Sequence, residues 1–98
     1  MLIARDLRDG ARIVGTLTAR GIQNPDRYSG WIEDVVVDET VRGRGVGEAL
    51  SREAVRRAVA LGARTIELTS HPSREAANRL YRRLGFSLRD SNLYRYTP

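Results

Sequence analysis

The feature that most constrains this chain is a succession of three parts. An unbroken β-branched run, Val35-Val36-Val37, is followed by Arg42-Gly43-Arg44-Gly45-Val46-Gly47 and then by an amphipathic helix. The valine run predicts a strand from Trp31 to Val37 covered on both faces, because a half-exposed strand would alternate with polar residues. From Val46 to Leu61 the apolar positions Val46, Leu50, Ala54, Ala58 and Leu61 recur at helical spacing, opposite Glu48, Arg52, Glu53, Arg56 and Arg57. Glu48 with Arg52 and Glu53 with Arg57 stand four apart in the favourable order, and Gly62 is placed to end the helix in a left-handed cap. Thr65 to Thr69 reads as the next strand. Strand, helix and strand make a right-handed βαβ unit with residues 35–37 and 66–68 parallel.

Around this unit the punctuation is clear. Residues 2–8 and 11–20 read as two strands of a hairpin turning at Asp9-Gly10. The stretch from Gly21 to Gly30, with Asn24-Pro25-Asp26 and Ser29-Gly30, reads as a loop. A second helix opens at Pro72-Ser73, with Ser73 as its N-cap and Glu75 in its first turn; Ala77, Leu80, Tyr81 and Leu84 line one face, and Gly85 ends it. Residues 86–89 and 93–97 read as two closing strands around Asp90-Ser91-Asn92. Hairpins beside a parallel pair imply an α/β fold with a mixed sheet. At 98 residues, without repeats or an internal boundary, a single domain over 1–98 is expected. No apolar run is long enough to span a bilayer, and the first residues lack the pattern of a secretory signal, so no membrane partner and a cytoplasmic location are expected.

Composition removes several chemistries. There is no cysteine, which excludes disulfides, zinc-thiolate sites and a thiol nucleophile. All 17 basic residues are arginine, so a Schiff-base lysine and a phosphate-loop lysine are excluded as well. The net charge of +5 suits an anionic partner. Closely spaced glycines before a helix let backbone N–H groups approach an anion, and the helix start adds partial positive charge. A phosphate or pyrophosphate is therefore the expected ligand, with Arg42 and Arg44 adding charge-assisted hydrogen bonds. The spacing Gly-x-Gly-x-Gly fits neither the dinucleotide fingerprint nor the lysine-containing phosphate loop. Taken alone, the loop also reads as a solvated turn.

The surroundings decide between these readings. Arg42, Gly45 and Gly47 match in order the Arg/Gln-x-x-Gly-x-Gly/Ala pattern of the GNAT superfamily of acyl-CoA-dependent N-acyltransferases. The preceding Ile32-Glu33-Asp34-Val35-Val36-Val37 is similar to that family's central strand. Downstream, the segment from Asn78 through Leu80-Tyr81 to Gly85-Phe86 resembles the family's Asn and Leu-Tyr-x-x-x-Gly-Phe signature. The resemblance covers roughly residues 13–96, and the strand and two helices that usually precede the hairpin in that family are expected to be lacking.

The resemblance implies a central mixed sheet with a splayed strand pair flanked by two helices, and N-acetyl transfer from acetyl-CoA to a primary amine by direct attack in a ternary complex. The pantetheine arm would lie along the backbone of Val35, Val36 and Val37. Arg42, Gly43, Arg44, Gly45, Val46 and Gly47 would hold the pyrophosphate, and Asn78 would reach the pantetheine region. Tyr81, on the same helical face as Asn78, would be the acid that protonates the leaving thiolate. Glu33 is the preferred base and Asp34 the alternative, because adjacent strand residues point to opposite faces and Glu33 shares its face with Val35 and Val37. His71 and Arg74 read as solvated side chains before they read as site residues. The acceptor is expected to be a small-molecule or peptide amine.

Two other readings remain open. One is an acyl-CoA-binding or regulatory domain without turnover. The other, a nucleic-acid-binding module, is disfavoured because aromatics are few and the helix arginines alternate with Glu48, Glu53 and Glu75. No nucleic acid is expected. A homodimer is expected, because a sheet short of one strand leaves an exposed edge.

Overall fold

The computed structural model describes residues 1–7, 10–23 and 25–98. Its strands β1 (Leu2–Asp6), β2 (Arg12–Gln23), β3 (Tyr28–Val37) and β4 (Thr65–Leu68) form one sheet in the order β1-β2-β3-β4. β1, β2 and β3 pair antiparallel, and β3 pairs parallel with β4. The parallel step crosses over through α1 (Val46–Ala60), while α2 (Glu75–Arg83) follows β4. The expected turn at Asp9 lies outside the described residues.

The core forms where α1 lies on the sheet. Leu17, Ile32, Leu50 and Ala54 are buried together, with Val35, Val46, Ile66 and Leu68 packed around them. Each large side chain buried there contributes about 1.5–3 kcal/mol relative to exposure. Small residues set the approach of the helix: a Cβ on Gly15 would lie 2.8 Å from Val46 Cγ1, and one on Gly30 would lie 3.4 Å from Ala58 Cβ. The expected pairs Glu48 with Arg52 and Glu53 with Arg57 both form. Gly62 takes the left-handed conformation expected of it, at φ +90°. Leu61 is the exposed cap residue and lies outside the buried face.

Several expectations are corrected. The segment from Gly21 to Gly30 is mostly strand: Gly21 pairs with Gly30, Ile22 with Ser29 and Gln23 with Tyr28. The Tyr28 ring occupies the place a side chain on Gly21 would take, so the glycine is a packing requirement, not a loop signal. α2 begins at Glu75 with Arg74 in the cap position, because the Ser73 hydroxyl is held by His71 instead. Residues 86–89 and 93–97 form no strands. Phe86 packs on the core, but Leu88, Leu93, Tyr94 and Tyr96 are all more than four-fifths exposed.

The central strand carries a bulge. Thr16 pairs with Val36 and Thr18 with Glu33, so Leu17 alone opposes both Asp34 and Val35. Asp34 absorbs the extra residue with φ +55°, an uncommon conformation for a non-glycine residue. One inserted residue inverts the alternation beyond it. Ile32 and Val35 both pack in the core and Val37 meets α1, so Glu33 shares its face with Val36 and not with Val35 and Val37. Val36 is 60% exposed, so the valine run is covered on one face only.

Candidate functional site

The β3–β4 ladder pairs Ser29 with Thr65, Gly30 with Ile66, Trp31 with Glu67 and Ile32 with Leu68, and there it ends. The parallel pairing expected for residues 35–37 is thus displaced to 29–32. β3 continues to Val37, still paired with β2 through Val36–Thr16 and Val37–Gly15. Its other edge, along Val35, Val36 and Val37, has no strand partner among the described residues. β3 therefore runs five residues beyond the end of β4 at Leu68, leaving backbone N–H and C=O groups on that edge without a strand partner among the described residues.

The mouth of the gap along this edge is the start of α1. Asp38 and Thr40 first turn the chain: Asp38 Oδ1 accepts from Thr40 N at 2.9 Å and from Thr40 Oγ1 at 2.7 Å. Arg12 on β2 donates to Asp38 Oδ2 at 3.0 Å and to Thr40 Oγ1 at 3.1 Å. The Thr40 bonds, followed by the Arg12 charge, hold the Asp38 carboxyl below its ordinary range. Sequence reasoning missed this anchor; the signal was Asp38 two residues before Thr40, a local side-chain turn. After the short 3₁₀ helix Glu39–Val41, Gly43 and Gly45 take φ +82° and +79°. No atom lies within 4 Å of a Cβ built on either, so backbone conformation and not space requires glycine there.

Gly45 occupies the N-cap of α1 and supplies no side-chain hydrogen bond. The first amides of the helix thus receive no side-chain cap at its positive dipole end. Arg42 and Arg44 are exposed beside them. Arg42 lies 3.9 Å from Glu39, at the limit of an ion pair, and Arg44 has no ion pair among the described residues. Val46 and Gly47 form the first turn of the helix, and a Cβ on Gly47 would lie 3.7 Å from both Val37 Cγ2 and Leu80 Cδ2. Gly47 thus brings the gap, the loop and α2 together. Arg83 of α2 also reaches Glu48 of α1 at 3.6 Å.

On α2, Tyr81 is half-buried, its ring edge-to-face with Phe86 at a centroid distance of 5.9 Å. Burial pushes its phenol above the ordinary value, partly offset by the Arg74 charge. The phenol therefore stays protonated at neutral pH. Asn78 donates through Nδ2 to the His71 carbonyl at 3.1 Å, which fastens α2 to the loop after β4. His71 Nδ1 lies 2.7 Å from Ser73 Oγ and accepts from Ser73 N at 3.1 Å, so its ring organises that loop. Glu33 forms an ion pair with Arg20 at 2.9 Å on the sheet face opposite α1. Asp34 is the exposed bulge residue.

A cavity of about 200 Å³ lies at the other end of the sheet, lined by Gly21, Tyr28, Trp31, Ala58 and Leu61. None of the residues expected at the site lines it. The unpaired edge of β3 meets the uncapped start of α1 where Val37 approaches Gly47. The chain belongs to the acetyltransferase (GNAT) family, whose model it matches over residues 1–86.

It is 32% identical over 85 residues to the N-alpha-acetyltransferase MAK3 of Arabidopsis thaliana, covering 87% of this chain and 44% of that protein. Among solved structures, a putative acetyltransferase from Agrobacterium tumefaciens is similar at TM-score 0.82 and 25% identity, over 91% of this chain and 64% of that one. An aminoglycoside acetyltransferase from an uncultured soil metagenomic sample is similar at TM-score 0.77 and 29% identity, over 90% and 59%. This sequence therefore spans less than half the length of the plant relative. Among the described residues no helix is long and apolar enough to cross a membrane.

Proposed function

We propose that this chain carries the acetyl-CoA site and the catalytic acid of an N-acetyltransferase that acts on a primary amine by direct attack in a ternary complex. The observation that carries this reading is the edge of β3 left unpaired beyond the end of β4, immediately beside the uncapped start of α1. The residues fit acetyl-CoA: the free edge of Val35, Val36 and Val37 suits the pantetheine amides, and the amides from Gly43 to Gly47 with Arg42 and Arg44 suit the pyrophosphate. When bound, acetyl-CoA supplies the acyl group as an activated thioester. Tyr81 holds a proton at Oη for the departing sulfur. Asn78, already bonded to the His71 carbonyl, positions α2 so that Tyr81 can face the gap.

The bulge refines the amine's approach. Val35 and Val37 are turned into the packed face under α1, so the open way to the gap is the opposite face, where Glu33 and Val36 lie. Glu33 is the base proposed for that face. Held in place by Arg20, its carboxylate takes the amine proton directly or through water. The acceptor class is an amine of a small molecule or peptide. Self-association as a homodimer is part of the same proposal, supported by the open outer edges of β1 and β4.

The test is release of CoA thiol across a panel of amines, beside calorimetry of acetyl-CoA. Saturable binding with amine-dependent thiol release supports the reading. Binding without release on any amine would favour a non-catalytic acyl-CoA-binding domain.

A further inference from the structure

Two buried hydroxyl oxygens, those of Ser51 and Ser70, have no hydrogen-bond partner among the described residues. A buried polar group left unpaired is unfavourable enough that each calls for an explanation. Ser51 stands inside α1, where its hydroxyl can turn to the Gly47 carbonyl four residues back. Ser70 has no such recourse. It follows the last residue of β4 by two positions and belongs to no helix or strand.

The register of β4 sets its position. Ile66 and Leu68 pack on the core while Glu67 and Thr69 are exposed, so Ser70 continues the inward row, on the sheet face that α1 covers. The ladder between β3 and β4 ends where Ile32 meets Leu68. Two residues further along each chain, Ser70 comes level with the bulge at Asp34 and with Val35, near the inner end of the unpaired edge of β3. In the proposed complex the pyrophosphate lies at Gly43 to Gly47, and the pantetheine arm runs inward along Val37, Val36 and Val35. What reaches the inner end is the acyl thioester. Its carbonyl oxygen is an acceptor a hydroxyl can bond, and it is the atom that gathers negative charge as the amine adds. Ser70 lies on the α1 side and Glu33 on the other, so donor and incoming amine do not compete for space.

We infer that Ser70 is a further catalytic residue, its hydroxyl donating a hydrogen bond to the thioester carbonyl oxygen of bound acetyl-CoA. Ser70 keeps its own proton throughout. The carbonyl electron pair shifts onto the held oxygen as the C–N bond forms and returns as the C–S bond breaks, while sulfur takes the Tyr81 proton and Glu33 the amine proton. Burial makes this bond strongest when the oxygen carries most charge. The inference rests on the acetyl-CoA site proposed above and adds the side chain that meets the acyl group.

Ser70→Ala removes only the hydroxyl, and three measurements read its loss. Without ligand, the unfolding midpoint of Ser70→Ala should equal or exceed that of wild type, because the hydroxyl has no partner to lose. In calorimetry, acetyl-CoA should bind Ser70→Ala about two- to tenfold more weakly, while CoA, which has no carbonyl at that end, should bind both proteins alike. On any amine that wild type accepts, kcat should fall about 10²–10³-fold. The calorimetric difference is read whether or not turnover is found. A lowered midpoint without ligand assigns the hydroxyl to the fold and overturns the inference, as does an unchanged acetyl-CoA affinity or an unchanged kcat. Equal weakening of CoA and acetyl-CoA moves the hydroxyl from the acyl group to the pantetheine arm and overturns it too. Each of these outcomes leaves the acetyl-CoA site standing, whereas a wild type that binds no acetyl-CoA overturns both.

Discussion

The two halves of β3 make the instructive comparison. From Ser29 to Ile32 the strand is paired on both edges, buried under α1, and floored by small residues that admit the helix. From Glu33 to Val37 it has lost β4, gained a bulge, and ended against a glycine loop with two left-handed residues. The first half satisfies its backbone within the fold. The second leaves one backbone edge without a strand partner among the described residues, and the strain of Asp34 and the uncapped amides of α1 are concentrated there. With the proposed function, stability and binding are separated along one strand, at Ile32.

Substitutions on either side of Ile32 should therefore differ in kind. The largest effect is expected at Tyr81. Tyr81→Phe keeps the ring contact with Phe86 but removes the proton, so kcat should fall by about 10²–10⁴-fold with acetyl-CoA affinity nearly unchanged. A core tyrosine would instead lose about 1 kcal/mol of stability and no rate. The wild-type rate should also decline at high pH only above the ordinary phenol value of about 10, because burial raises this group and the acid is lost on deprotonation. Tyr81→Phe should lack that decline.

Next comes the paired half. Ile32→Ala should cost about 2–5 kcal/mol in denaturant unfolding, yet leave acetyl-CoA affinity per folded molecule unaltered. A large loss of affinity in that variant would break the separation. Arg44→Ala should do the reverse, weakening acetyl-CoA by the equivalent of about 1.5–3 kcal/mol in calorimetry with the unfolding midpoint unmoved. Added salt should reduce the difference.

The smallest effect lies on α1, away from both halves. Arg56 and then Arg57 hold the Glu53 carboxyl down to about 2. A lowered acid stabilises the fold above its unfolded value and loses that contribution as pH falls. The gap in thermal midpoint between wild type and Glu53→Gln should therefore be full above about pH 4.5 and close toward pH 2.

Much of this was legible in the sequence because local chemistry and tertiary demand agreed. The α1 periodicity, its ion pairs and its glycine end need only the residues themselves, and the Gly-x-Gly-x-Gly loop declares an uncapped helix start. What was not legible depended on distant partners. Gly21 and Gly30 look like loop residues until Tyr28 is seen to fill one and Ala58 to cover the other. The bulge at Asp34 carries no glycine to announce it, so the face of Glu33 could not be read. Residues 93–97 were expected as a strand from composition, but a strand also needs an edge to pair with. The anchoring of the loop by Arg12 crosses 26 residues to Asp38, beyond any local pattern.

The central claim is that the parted half of β3 and the start of α1 bind acetyl-CoA, and calorimetry on Gly45→Val tests it most directly. Valine cannot hold φ +79° without strain, so the turn that sets out the amides from Gly43 to Gly47 would be distorted. Wild type should bind acetyl-CoA saturably, and Gly45→Val should show no measurable binding while keeping the wild-type circular dichroism spectrum. Equal affinity in the two proteins would contradict the account.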